Sequence, residues 1–182
     1  KISLAWITLP KNWDPDQTYP MYVHLHGLSD NYGLPINFLT RSYIKGISKT
    51  TAYEDGYWLS PWGRGNLWYQ GISETDVWES ITGLRKLENI DLNRQYITGH
   101  SMGGYGAWYI ASRSPGEWAA LGVEAGALWY NNENLLKDEV VKQLKDIPTY
   151  FVCGTNDGLL AVDTKAFNLL NATGNSNTMF IT

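Results

Sequence analysis

Short apolar runs of strand character alternate along this chain with segments of helical periodicity. That alternation predicts an α/β fold with a mostly parallel central sheet covered by helices. Two further observations support it. Hydrophobic residues make up 43% and charged residues 18%, the balance of a globular domain rather than a disordered chain. The length of 182 residues suffices for one domain with a sizeable core. No internal repeat, low-complexity segment or linker divides residues 1–182, which therefore read as a single domain.

The elements follow in order. Ile2–Leu9 alternates as a first strand, and Pro10–Tyr19, with Asp-Pro and Asn residues, reads as a turn. Met21–Leu25 is a second strand ending at His26-Gly27, and a helix is expected within Ile36–Glu54. Tyr57–Ser60 is a short buried strand, and Pro61–Gly71 is a long Gly/Trp loop. Ser73 and Asp76 stand at the spacing of a capping box, with Asp in place of Glu or Gln, and Val77, Ile81, Leu84 and Leu87 recur at helical spacing after it. Tyr96–Thr98 is a buried strand, Gly99–Gly103 a sharp turn and Met102–Ser112 a helix. Ala119–Glu124 is a strand and Asn134–Lys145 an amphipathic helix with Leu135, Val140, Val141 and Leu144 apolar. Thr149–Cys153 is a strand, Val162–Asn171 a helix and Asn177–Ile181 a last strand.

Composition narrows the function classes. The net charge is −4 and no Lys/Arg cluster stands out, which argues against nucleic acid as a partner. The longest apolar runs are too short to cross a bilayer. Three histidines and one cysteine lack the spacing of a metal site, and Gly63-Arg64-Gly65-Asn66 lacks the strand–turn–helix setting of a phosphate loop, so no metal or other cofactor is expected. Cys153 has no partner for an internal disulfide and reads as a small core residue. Lys1 leads straight into a strand pattern, with no signal-peptide pattern and no initiator Met, so the sequence reads as a piece of a longer chain, trimmed before Lys1 and after Thr182. Nine Trp and twelve Tyr either fill the core or, in Gly/Pro-rich stretches such as those of Trp58, Trp62, Trp68 and Tyr69, line a binding surface.

The segment Gly99-His100-Ser101-Met102-Gly103 carries the chemistry. A serine on a tight turn between strand and helix is held in a strained backbone conformation. The residues two positions to either side must lack side chains, or they would collide with the adjoining strand and helix. Here a buried strand precedes the turn and a helix follows it. The helix N-terminus then faces the developing negative charge of an attacked carbonyl.

The stretch Asn89–Ala107 resembles the nucleophile region of α/β-hydrolase serine esterases. The nearest groups are the feruloyl/acetyl-xylan esterase-like and polyhydroxybutyrate-depolymerase-like enzymes, with the prolyl-oligopeptidase-like hydrolases related to them. The resemblance runs from about Trp6 to Ile181 and implies a three-layer α/β-hydrolase fold, cut short at both ends. It implies Ser101 as nucleophile, with the backbone N–H groups of Leu28, after His26-Gly27, and of Met102 as oxyanion donors. His26 is then a residue whose ring holds the loop, and His24 is core or loop support. Asp157, just after the strand Thr149–Cys153, matches the catalytic acid. Asp163 is the alternative acid and otherwise caps the helix that follows. In this family the order is Ser, acid, His, and no histidine follows His100. The histidine is expected on a segment beyond Thr182; the alternatives are a non-catalytic relative, or a histidine from another chain.

The resulting expectation is a serine carboxylic-ester hydrolase working through an acyl-enzyme on small-molecule or carbohydrate esters, aryl or sugar, and inactive as residues 1–182 alone. Trp68 and Tyr69, in a loop at the carboxyl ends of the strands, are the expected substrate-binding residues. The family resemblance implies a secreted or periplasmic protein. A prolyl-oligopeptidase-like peptidase and a non-catalytic binding module with the same fold remain the alternatives.

Overall fold

Strand alternation in the sequence becomes one twisted sheet in a computed structural model, which describes residues 3–29, 55–130 and 135–182. Its strands are β1 (Ala5–Thr8), β2 (Tyr19–Leu25), β3 (Tyr57–Pro61), β4 (Ile90–His100), β5 (Ala120–Glu124), β6 (Thr149–Val152) and β7 (Thr178–Ile181), in the spatial order β1-β3-β2-β4-β5-β6-β7. β1 runs antiparallel to β3, and every other pairing is parallel. The described helices are α1 (Ile72–Leu87), α2 (Met102–Arg113), the single turn α3 (Asp138–Val141) and α4 (Leu160–Ala172). The helix expected within Ile36–Glu54 lies outside the described residues.

Side chains alternate across a strand, so the two faces of the sheet differ. Met21, Val23, Leu25, Leu59, Ile97, Leu121, Val123 and Phe151 point to one face and are buried in a single core with Val77 and Ile81 of α1 and Trp108 of α2. Phe151 meets Trp108 of α2 at 5.9 Å between rings and Phe167 of α4 at 6.1 Å. Each such side chain contributes about 1.5–3 kcal/mol by leaving water. On the other face Tyr22 stacks on Tyr96 and His24 on Trp58. Burial first, then the neighbouring charges of His26 and His100, pulls the His24 pKa down to about 4, against the attraction of Glu124.

Three expectations change. α1 begins at Ile72 after Gly71 (φ 56°), with no side-chain cap. Ser73 and Asp76 are buried and turned away from the helix end. The Ser73 hydroxyl donates to the Gly63 carbonyl, and Asp76 pairs with Arg64 at 2.9 Å. Leu87 is exposed, so the apolar stripe stops at Leu84. The helix expected over Asn134–Lys145 is only α3 followed by a 3₁₀ turn (Lys142–Leu144). Its buried residues Val141, Leu144 and Ile147 repeat every third position, which suits the 3₁₀ turn, and the Leu135 carbonyl is engaged by the Trp108 indole N–H at 3.0 Å. β4 is longer than Tyr96–Thr98. Its residues 91–94 loop out between the pairs Tyr19–Ile90 and Met21–Gln95, closed by an Asp91–Arg94 ion pair.

The chain crosses from β2 outward to β3 in one direction, and from β4 to β5 in the other. The carboxyl ends of β2 and β4 are therefore adjacent at a topological switch point, where open α/β sheets leave a crevice.

Glycine contacts there give a direct test. A methyl group at Gly103 would overlap the Leu25 carbonyl, whereas one at Gly83, inside α1, meets nothing within 4 Å. Gly103→Ala is expected to cost about 3 kcal/mol, and Gly83→Ala to gain about 1 kcal/mol from helix propensity. Denaturant midpoints at unchanged m-value check both.

Candidate active site

Ser101 follows the last residue of β4 and caps α2 with φ 55° and ψ −115°. That region costs a non-glycine residue about 1–3 kcal/mol unless its surroundings impose it. They do so through three backbone bonds. Ser101 N–H donates to Glu124 O at 2.8 Å, and the Ser101 carbonyl accepts from Tyr105 N–H (3.0 Å) and Ala127 N–H (3.3 Å). Space closes the turn as well. A side chain at Gly99 would overlap the Gly103 carbonyl, and one at Gly103 the end of β2. The first turn of α2 carries no acidic residue. Its dipole is thus uncancelled locally where it meets Ser101.

The end of β2 runs directly past this turn. A Cβ placed on Gly27 would lie 3.6 Å from Ser101 Cβ. Gly27 is followed by Leu28, which is 55% exposed. The peptide units around Leu28 are pinned on every side. Tyr69 Oη donates to His26 O at 3.0 Å, and His26 Nδ1 lies 2.8 Å from Gly27 O. Ser29 N–H donates to Asn66 Oδ1 at 3.1 Å, and Asn66 Nδ2 donates to Ser29 O at 3.0 Å. Neither the Leu28 nor the Met102 N–H has an acceptor among the described residues. Two backbone donors thus stand free beside a serine, an arrangement that can hold an anionic oxygen.

His26 is a buried loop anchor. Its Nε2 lies 2.9 Å from Trp62 O, so both ring nitrogens face carbonyl oxygens. A neutral ring has one N–H for these two acceptors. Burial lowers the His26 pKa and opposes the imidazolium that would satisfy both, though the two carbonyls pull the other way. No hydrogen bond joins any of the three histidines to the Ser101 hydroxyl among the described residues.

The turn after β6 carries Asp157. Leu159 N–H donates to its Oδ1 at 2.8 Å, and the carboxylate is exposed. Parallel pairing of β4, β5 and β6 places this turn on the same edge of the sheet as Ser101. Asp163 does not cap α4, whose N-cap is Leu159 without a side-chain bond. It is fully buried and accepts Gly126 N–H at 3.0 Å, with the Cys153 thiol beside it. Burial pushes the Asp163 carboxyl up to about 7 and the Cys153 thiol up to about 11. Cys153 is buried, a small core residue, as its strand position implied.

The two aromatics expected at a substrate surface part company. Trp68 is half-buried, stacked on Tyr130 at 3.6 Å and edge-on to Tyr105 at 5.4 Å. Tyr69 has no exposed surface, and a side chain at Gly106 would collide with its ring, so it packs behind His26 instead of facing a ligand. Asn66, Trp129 and Tyr130 were not singled out by the sequence. Nothing in an isolated Asn or in the Leu-Trp-Tyr run marks a distant partner. Among the described residues no group of three or more His, Cys, Asp or Glu could hold a metal, and no helix is long and apolar enough to cross a membrane.

Asp163 makes stability pH-dependent. Its folded pKa lies above the ordinary 3.8, so its contribution is complete at low pH and is lost as pH rises through about 7. Asp163→Asn stays neutral. The Tm difference, variant minus parent, should therefore widen in favour of the variant between pH 4 and pH 8. A flat difference across thermal melts would contradict the buried carboxyl.

Comparison with known proteins fits this geometry. No curated protein sequence matches the chain. Among solved structures, a thermostable esterase superposes with a TM-score of 0.68 at 21% identity over 99% of this chain. The chain spans only 53% of that esterase's length. A ferulic acid esterase matches with a TM-score of 0.70 at 16% identity, over 97% of this chain and 82% of its own. The S-formylglutathione hydrolase of Staphylococcus aureus matches with a TM-score of 0.70 at 17% identity, over 99% and 89%. At these identities the likeness establishes the α/β-hydrolase fold. Residues 84–181, more than half of the chain, match the profile of the esterase family described as "Putative esterase", and this chain belongs to that family of hydrolases.

Proposed function

We propose that this chain carries the acyl-transfer centre of a serine carboxylic-ester hydrolase, with aryl or carbohydrate esters as substrates. The observation that carries the reading is Ser101 at φ 55°, wedged between two glycines at the switch point, with two unengaged backbone N–H groups beside it. In this reading Ser101 Oγ attacks the ester carbonyl and passes its proton to an imidazole. The carbonyl oxygen takes up the negative charge between the Leu28 and Met102 N–H groups. Collapse of the adduct breaks the bond to the alcohol, which leaves with the proton from the imidazolium. Water then attacks the acyl-enzyme and frees the acid. Asp157 orients the imidazole and stabilises its charged form. None of His24, His26 and His100 bonds the Ser101 hydroxyl, so the imidazole is assigned to a histidine outside residues 1–182.

A lip of exposed apolar residues supports the substrate class. It follows a chain of contacts that starts and ends at the serine: Gly27 beside Ser101, Ser29 on Asn66, Trp68 on Tyr130, and Ala127 back on Ser101. Leu28, Leu67 and Trp129 stand exposed along it, with Tyr130 partly so. Flat aromatic and sugar rings stack on such surfaces. The ferulic acid esterase similarity points the same way.

A fluorophosphonate probe should label the natural full-length protein at Ser101, and Ser101→Ala should abolish the label. Asp157→Asn should lower kcat by about 10⁴ with the fold intact. A well-folded protein that binds glycan but takes no label would instead be a binding module. Trp68→Ala should raise KM for feruloyl esters more than for acetyl esters, and equal effects would make Trp68 a packing residue only.

A further inference from the structure

We infer that Asn66 is a positioning residue that aims the Leu28 N–H at the reacting carbonyl oxygen, an inference that rests on reading Leu28 as an oxyanion donor. The Leu28 N–H belongs to the peptide joining Gly27 and Leu28. In a planar trans peptide the N–H points opposite to the C=O. That C=O faces His26 Nδ1 at 2.8 Å, so the Leu28 N–H points to the opposite side. The next peptide, joining Leu28 and Ser29, is held by Asn66 Oδ1, which accepts the Ser29 N–H at 3.1 Å. Asn66 Nδ2 returns a bond to Ser29 O at 3.0 Å. One side-chain amide therefore fixes both backbone groups of Ser29, as a neighbouring strand would. It removes the rotation of the loop that would swing the Leu28 N–H away.

Asn66 can do this because its own loop is braced on α1. Gly63, Arg64 and Gly65 all have positive φ, at 57°, 58° and 84°. Ser73 of α1 holds the Gly63 carbonyl, and Asp76 pairs with Arg64 at 2.9 Å. Trp62, in the same loop, presents its carbonyl to His26 Nε2 at 2.9 Å. The side chain that braces Leu28 is thereby tied to a helix. Among the described residues, Asn66 bonds Ser29 through both of its amide atoms, on the C-terminal side of Leu28.

The test uses the full natural polypeptide with an ester and its thionoester, in which sulfur replaces the carbonyl oxygen. Sulfur is the poorer acceptor, so an aimed N–H favours the oxygen ester. Asn66→Ala should lower kcat for the oxygen ester about 10- to 100-fold, leave KM within about twofold as expected for an interaction made in the transition state, and shrink the ester-to-thionoester ratio. Asn66→Asp keeps the acceptor for Ser29 N–H and should fall between the two. If Asn66→Ala fails to fold, Asn66→Asp carries the test. A folded variant with unchanged kcat and an unchanged ester-to-thionoester ratio overturns the inference. If the parent protein shows no ester turnover, the functional reading fails on its own. The Leu28 amide resonance then decides the inference: a shift and faster hydrogen exchange on substitution support it, and an unchanged resonance overturns it.

Discussion

The carbonyl oxygen of Leu25, the last residue of β2, sets the distance between the central strands and the helix that carries the serine. Gly103, in the first turn of α2, rests directly on it. Because no side chain intervenes there, α2 sits low against the sheet and the turn before it must be sharp. Ser101 then has no choice but a positive φ, and its hydroxyl is lifted above the strand ends. The same close approach puts Gly27, two residues beyond Leu25, against the Ser101 side chain. Ser101, the proposed nucleophile, and the neighbouring backbone N–H groups are thus brought together by one backbone contact between β2 and α2.

Strain at the serine is balanced by order elsewhere. The loop between β3 and α1 takes positive φ at Gly63, Arg64, Gly65, Trp68, Tyr69 and Gly71. For Arg, Trp and Tyr that conformation is unfavourable by about 1–3 kcal/mol each. Buried polar contacts oppose it: the Arg64–Asp76 pair, the Ser73 bond to Gly63 and the Tyr69 bond to His26. Removing one member of such a buried pair strands its partner, so these groups act as a unit that holds one loop geometry.

The sequence showed most where the physics is local. A strand, a Gly-x-Ser-x-Gly turn and a helix follow one another within residues 96–112, and their steric logic needs no knowledge of the rest of the chain. The parallel α/β architecture was equally legible, because strand–helix alternation fixes it. What failed depends on distant partners. Ser73 and Asp76 have the spacing of a helix cap, but a loop ten residues upstream claims them. Tyr69 has the composition of a binding loop, yet Gly106 leaves a hollow into which its ring packs. Asp163 stands near a helix start and reads as a cap, while its real partner is the Gly126 N–H, 37 residues away. Periodicity also misled over residues 134–145, where a three-residue repeat passed for a helical one.

A single short strap couples the two halves of the proposed centre. Along residues 124–127 the first and last backbone groups bond Ser101, and the two between them bond β6 and α4. Glu124 O receives the Ser101 N–H, and Ala125 N–H reaches Val152 O at 2.7 Å, in the strand that leads to Asp157. Gly126 N–H binds Asp163 on α4, and Ala127 N–H returns to Ser101 O. The Ser101 turn and the strand end that leads to Asp157 are therefore fastened to the same four residues and cannot drift apart independently. Ala125 itself has φ 43°, a left-handed conformation unfavourable for alanine, and the four hydrogen bonds around it hold it in place. Within this arrangement the two carboxylates take different parts. Asp163 is enclosed and engaged with the strap, so it cannot turn toward solvent without releasing Gly126. Asp157 stands exposed on the turn above, and in the proposed reaction it alone is free to meet an imidazole.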